Sequence, residues 1–84
     1  MGIGHTTREK LIEHIEFGAD IMFDCAGKHF TILGWYEGGP NIAEQDTEAN
    51  EQTFPTAEAL IDGYMIDGKS LGERIDEVII TYAT

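Results

Sequence analysis

Eight carboxylates stand in the forty residues between Lys28 and Lys69, and no Lys or Arg stands among them. They are Glu37, Glu44, Asp46, Glu48, Glu51, Glu58, Asp62 and Asp67. A run of one sign limits the partner: it attracts cations and basic proteins, and it repels a bare phosphate backbone. The densest part is Glu44, Asp46, Glu48 and Glu51. On a strand, Glu44, Asp46 and Glu48 face one way, about 7 Å apart from two steps of about 3.4 Å. One DNA strand carries a phosphate about every 3.4 Å of axis, so the acidic row is about half as dense as one backbone. Such a row partly imitates DNA toward a basic groove, with Glu37, Glu51, Glu58 and Asp62 adding to the field. The plain alternative is a solvated face or a flexible loop whose acids serve solubility alone.

Other chemistry fares worse. A calcium loop of the EF-hand type needs Gly at its sixth place and Glu at its twelfth. Starting at Glu44, those places hold Ala49 and Pro55; starting at Asp46, they hold Glu51 and Ala57. Cys25 and His29 flank a turn, and a nucleophilic thiol needs a nearby base. However, Cys25 shares its strand face with Ile21 and Phe23, the setting of a buried structural thiol. His5, His14, Cys25 and His29 lack metal-ligand spacing. There is no Ser-His-Asp order, phosphate-cradling loop or HExxH, so no catalytic residue, metal site or cofactor is assigned. Trp35 and Tyr36 stand beside the Gly38-Gly39-Pro40 turn. An aromatic near an acidic rim can anchor an interface. In so small a domain one of the two is expected in the core, and alternation puts them on opposite faces.

The elements that must hold these residues make one small domain of 84 residues, with residues 1–5 expected as a disordered leader. Hydrophobic residues are 42% and Pro only two, which favours a folded core. The net charge of −11 brings self-repulsion that salt should relieve. Cys25 is the only cysteine, which forbids an internal disulfide and suits a reducing compartment, expected to be cytoplasmic. Neither a signal-peptide pattern nor a spanning apolar run is present, and the acidity opposes docking on anionic lipid.

Thr6-Thr7-Arg8-Glu9 fits a capping box with Thr6 as N-cap, opening a helix from about Thr7 to Phe17 that Gly18 stops. Asp20 to Cys25 alternates as a strand, Ala26-Gly27 turns, and His29 to Tyr36 returns as a second strand with apolar bulk on both faces. Such a strand is central in its sheet, or its second face meets a partner. Asn41 to Gln45 and Glu51 to Phe54 are further strands joined by a polar, mobile tip at Asp46 to Asn50. Pro55-Thr56 opens a helix, and Asp67-Gly68 turns the chain. Ser70-Leu71-Gly72-Glu73 is a second capping box, opening a short helix to about Glu77. Val78 to Tyr82 reads as a closing strand, because successive β-branched residues lose rotamer freedom in the alternative helix. The expected fold is α+β: a small antiparallel sheet of three to five strands, with an N-terminal helix and two helices of the C-terminal half packed on one face.

Two stretches, Gly27-Lys28-His29-Phe30-Thr31-Ile32 and Phe54 to Ile75, carry a resemblance. The second reads Phe-Pro-Thr-Ala-Glu-Ala-Leu-Ile-Asp-Gly-Tyr, then Met-Ile-Asp-Gly-Lys-Ser-Leu-Gly-Glu-Arg-Ile. Together they resemble short uncharacterised proteins of bacteria, their prophages and mobile elements. The resemblance spans about two thirds of the chain and rests on turns and helix starts. It implies a fold and a genomic setting, a bacterial host cell, and it transfers no catalytic residue.

The function these readings favour is an acidic, non-enzymatic protein-binding module. Its sharp form is a phage or mobile-element inhibitor, an anti-CRISPR or other counter-defence protein, that occludes a basic nucleic-acid-binding surface. Glu44, Asp46, Glu48 and Glu51 are the expected contacts, with Glu37 beside them and Trp35 as an anchor. The expected partner is a nuclease or similar protein, not nucleic acid itself and not a membrane. The alternative is a structural or regulatory accessory domain that forms a homo-oligomer through the second face of its sheet. A small enzyme using Cys25 and His29 is a distant third.

Overall fold

The computed structural model describes residues 3–45 and 50–84. The first helix, α1 (Arg8–Glu16), is amphipathic, with Leu11 and Ile15 buried. Its N-cap is Thr7, whose hydroxyl accepts from the Lys10 amide at 3.2 Å, so the box expected from Thr6 and Glu9 does not form. Two threonines in a row offer two cap registers, and the one that turns Leu11 and Ile15 inward prevails. Gly18, at φ +87°, ends the helix. Its amide donates to Ile15, and the Ala19 amide donates to His14, the paired bonds of a Schellman stop.

Strands β2 (Asp20–Cys25) and β3 (Lys28–Leu33) form the next unit, a hairpin. Ala26 and Gly27, both at positive φ, make its two-residue turn. Strands β4 (Asn41–Glu44) and β5 (Gln52–Thr53) come next, then helix α2 (Ala57–Gly63). Thr56 caps α2 by accepting from the Ala59 amide at 3.0 Å. Strands β6 (Met65–Ile66) and β7 (Lys69–Ser70) form a separate short hairpin about Asp67-Gly68. The last strand is β8 (Ile79–Ala83). Gly4–His5, the end of the stretch expected as a disordered leader, forms a short strand, β1; residues 1–2 of that stretch lie outside the described residues.

The main sheet is antiparallel throughout, in the order β1-β8-β2-β3-β4-β5. This is the expected α+β arrangement, with six strands in the main sheet where the sequence suggests three to five. Both edge strands are two residues long, which limits edge-to-edge pairing. Ile21, Phe23, Phe30, Ile32, Ile42 and Ile80 point to one face, where they meet Leu11, Ile15, Leu60 and Ile61 of the helices. Phe23 stacks on Phe30, and Tyr64 meets Phe30 edge-on. Among the described residues, no helix covers the opposite face of the sheet.

The C-terminal half departs from expectation in the β6-β7 strands, where the sequence suggests only a turn, and again after Ser70. The Ser70 box forms, with the Ser70 amide donating to Glu73 at 3.0 Å and the Glu73 amide donating to the Ser70 hydroxyl at 3.2 Å. The chain then makes a turn and a 3-10 helix (Ile75–Glu77), not an α-helix. Arg74 explains the stop. Its Nε donates to the Ile66 carbonyl at 2.7 Å and Nη2 to the Asp67 carbonyl at 3.1 Å, which pulls the chain back onto the β6-β7 hairpin.

Strand β3 ends at Leu33, three residues earlier than its hydrophobic pattern suggests. The Gly34 amide leaves the ladder and donates to the Ala19 carbonyl at 2.9 Å. Trp35 and Tyr36 therefore lie beyond the strand, 82% and 44% exposed, and neither enters the core.

Candidate functional site

Alternation along the strands decides what the open face presents. Across β2 and β3 the residues pair as Met22 with Thr31, Asp24 with His29, and Asp20 with Leu33. Across β3 and β4, Thr31 pairs with Ala43 and Leu33 with Asn41. At β8 a bulge between Met22 and Phe23 shifts the register, so Tyr82 pairs with Met22. Met22 and Tyr82 are half-exposed neighbours in consequence.

A trough of about 310 Å³ runs over β2, β3 and β4 on this face. Met22, Leu33 and Ala43 supply its apolar lining; Thr31, Asn41 and Gln45 its polar one; Glu44 and Glu51 its charge. Two amides are fixed within the chain. Asn41 Nδ2 donates to Thr53 Oγ1 at 3.0 Å, and Gln45 Nε2 donates to the Phe30 carbonyl at 3.1 Å.

The lysines and arginines lie elsewhere. Arg8 and Lys10 are on α1, Lys69 is on β7, and Arg74 is in the turn after it. Lys28 is on β3, in step with Phe30 and therefore on the helix side. Three of these cations hold an acid: Arg8 with Asp62 at 2.6 Å, Lys28 with Asp67 at 3.1 Å, and Arg74 with Glu77 at 3.1 Å. The Arg8 fork donates to both Asp62 oxygens, which raises the Arg8 pKa and holds the Asp62 carboxyl below the usual range. Among the described residues, the open face carries Asp20, Asp24 and Glu51 and no Lys or Arg.

The structure separates the residues picked from the sequence. Glu44 ends β4 opposite Phe30, and Glu51 stands just before β5, so both are at one end of the sheet. Asp46 and Glu48 lie outside the described residues, as does the rest of the segment expected as a mobile tip apart from Asn50. Trp35 and Glu37 are at the other end, past Leu33, about five strand residues or ~16 Å along β3 from the level of Glu44. The Trp35 ring lies on Gly18, where an added Cβ would be 2.2 Å from Cδ1, so only glycine admits it there. Trp35 and the exposed Phe17 thus flank one glycine.

Cys25 and His29 are not brought together. Cys25 is in the core, 2% exposed, and burial pushes its thiol pKa up, which suppresses the thiolate. His29 is on the opposite face, where its Nδ1 meets the Asp24 carboxylate. That pair escapes a reading of the sequence by motif, although a two-residue turn at Ala26-Gly27 places 24 opposite 29. Burial first, and then the Glu44 charge, also push the Tyr64 hydroxyl pKa up; Glu44 pairs with Phe30, on the helix side at the end of its strand. Among the described residues, no three of His, Cys, Asp and Glu gather to hold a metal ion. No helix among them is long and apolar enough to cross a membrane. No protein-family model, curated protein or solved structure matches this chain.

Proposed function

We propose that this protein is a non-enzymatic binding module that covers a positively charged surface on a partner protein. It docks the open face of its sheet together with the acidic β4-β5 hairpin. One observation carries the reading: the charge is sided. The Lys and Arg residues belong to the helix side, where three already hold carboxylates. The open face and hairpin bear acids with no Lys or Arg on that face among the described residues; the acid-imidazole pair there is Asp24 with His29. A standard interface buries about 800 Å² on each partner. The domain measures 28 × 26 × 21 Å, so an interface of that size takes most of one face and reaches both the hairpin end and Trp35.

The finer form of the proposal is occlusion. The partner is a nuclease or another nucleic-acid-handling protein, and the acidic face occupies the groove where nucleic acid binds. A counter-defence inhibitor from a phage or mobile element, of the anti-CRISPR kind, works in this way without making or breaking a bond. Association is fast at low salt and slows steeply as salt screens the face. The test is affinity capture from a bacterial lysate with the wild-type chain and with Glu44→Gln, Asp46→Asn, Glu48→Gln and Glu51→Gln combined. Retention of a basic nucleic-acid-handling protein by the wild type alone, lost at high salt, is the expected result. The same proteins on both columns would count against the proposal.

A second reading is a homo-oligomer through the same face. Met22 and Tyr82, side by side and half-exposed, favour it. Sedimentation at micromolar concentration separates the two: a dimer supports the second reading and a monomer removes it.

A further inference from the structure

We propose that the trough on the open face is the receptor for one arginine side chain of the partner; this deepens the acidic-face reading and rests on it. Size comes first. At about 310 Å³ the trough is at the lower limit of ligand pockets, which run from about 300 to 1,000 Å³. That volume suits a single long side chain better than a dinucleotide or another extended ligand.

Hydrogen-bonding capacity comes second. One N–H of Asn41 is engaged by Thr53 Oγ1 and one of Gln45 by the Phe30 carbonyl, so each amide keeps its carbonyl oxygen and a single further N–H. Glu51 accepts only, Glu44 borders the trough at a strand end whose register faces the helices, and among the described residues no cation lines the trough. An acceptor-rich lining selects a donor-rich guest. The guanidinium offers five N–H donors and no acceptor. Its planar fork reaches several acceptors at once, and it sheds water more readily than the compact lysine ammonium. The apolar lining comes third: Met22, Leu33 and Ala43 offer surface for the methylene stem that the charged head must trail behind it.

The experiment is an amide NMR titration of the full chain with N-acetyl-arginine amide, N-acetyl-lysine amide and N-acetyl-norleucine amide. Arginine is expected to give saturable shifts confined to Met22, Thr31, Leu33, Ala43 and Gln45, with lysine weaker and norleucine not saturating. Ala43→Leu, which fills the trough and leaves every charge in place, is expected to abolish the saturable shifts. Glu51→Gln is expected to weaken arginine by about two- to fivefold, the worth of one exposed charge contact. Shifts that survive Ala43→Leu, that scatter over all acidic residues, or that norleucine reproduces would overturn the proposal. Nona-arginine binding by the same proteins separates the two levels of the account. If Ala43→Leu still binds nona-arginine with strong salt dependence while arginine amide never saturates the wild type, the trough falls and the acidic face stands. If the wild type shows no salt-dependent binding of nona-arginine, the acidic face falls and takes the trough with it.

Discussion

Gly34 is the position where one added methyl group should matter most. A Cβ there would stand 2.7 Å from the Ala19 carbonyl oxygen, 2.8 Å from the Gly18 carbonyl carbon and 2.8 Å from the Ile15 carbonyl oxygen. All three neighbours are backbone, so no side chain can swing aside. To restore contact distance, the end of β3 must part from the α1-β2 junction, and the 2.9 Å bond from the Gly34 amide to Ala19 lengthens with it. Overpacking costs about 1–3 kcal/mol and a lost backbone hydrogen bond about 1 kcal/mol, so Gly34→Ala should destabilise by about 2–4 kcal/mol. A chain of this length is held by about 4–13 kcal/mol in all. The expected fall in Tm is about 10–30 °C, read by circular dichroism, with the urea m-value unchanged. Gly27→Ala is the control. Its Cβ would meet nothing within 4 Å, and only its φ of +76° opposes the change, at about 1 kcal/mol. Equal stability for Gly34→Ala and the wild type would refute the close approach of these backbones.

The same physics fixes three other outcomes. The Cys25 thiol, buried and raised in pKa, should react with Ellman's reagent about a hundredfold or more slower in the folded chain than in urea, the ratio being set by opening of the core. A fast native reaction would place Cys25 at the surface. Asp62, held down by Arg8, and Glu73, held down by the Ser70 amide and then its hydroxyl, both titrate below the ordinary range when folded. The unfolded chain therefore binds their protons first as pH falls, and their contribution is present above the ordinary range and lost through the depressed one. The wild type should lose more stability between about pH 5 and about pH 2 than Asp62→Asn combined with Glu73→Gln, measured by urea unfolding. Raising salt should raise Tm. The Debye length is about 30 Å at 0.01 M and about 10 Å at 0.1 M. The first spans the whole 28 Å domain and the second does not, so most of the gain should come in that interval.

Local signals in the sequence carry most of the fold. Thr56 caps α2, Gly18 stops α1, and Ala26-Gly27 closes the first hairpin, each through bonds within a few residues. The β-branched run at the C-terminus is a strand because it fills the slot beside β2. The features that sequence patterns miss depend on distant neighbours. β1 exists only through Ile79 and Ile80, more than seventy residues away. The early end of β3 is set by the Ala19 carbonyl, which no pattern in residues 28–36 reveals. The Ser70 box is legible as a motif but misleads as a helix start, because Arg74 reaches back to Ile66. The site divides in the same way. The acids are visible as a run of one sign, and Asp24 with His29 can be counted across the turn. The trough cannot, since four strands contribute to it or flank it. The distance between Trp35 and Glu44 likewise reflects strand direction, not their nearness in sequence.

Where the negative charge sits, not how much there is, sets binding to a basic partner. Two variants of equal net charge separate these. One carries Glu44→Gln, Asp46→Asn, Glu48→Gln and Glu51→Gln; the other carries Glu9→Gln, Glu13→Gln, Glu16→Gln and Glu58→Gln on the helix side. Calorimetric titration of each with nona-arginine at fixed low salt is the direct measurement. The account predicts that the first loses at least about tenfold more affinity than the second, a difference of about 1.4 kcal/mol. Equal losses from both sets would contradict it.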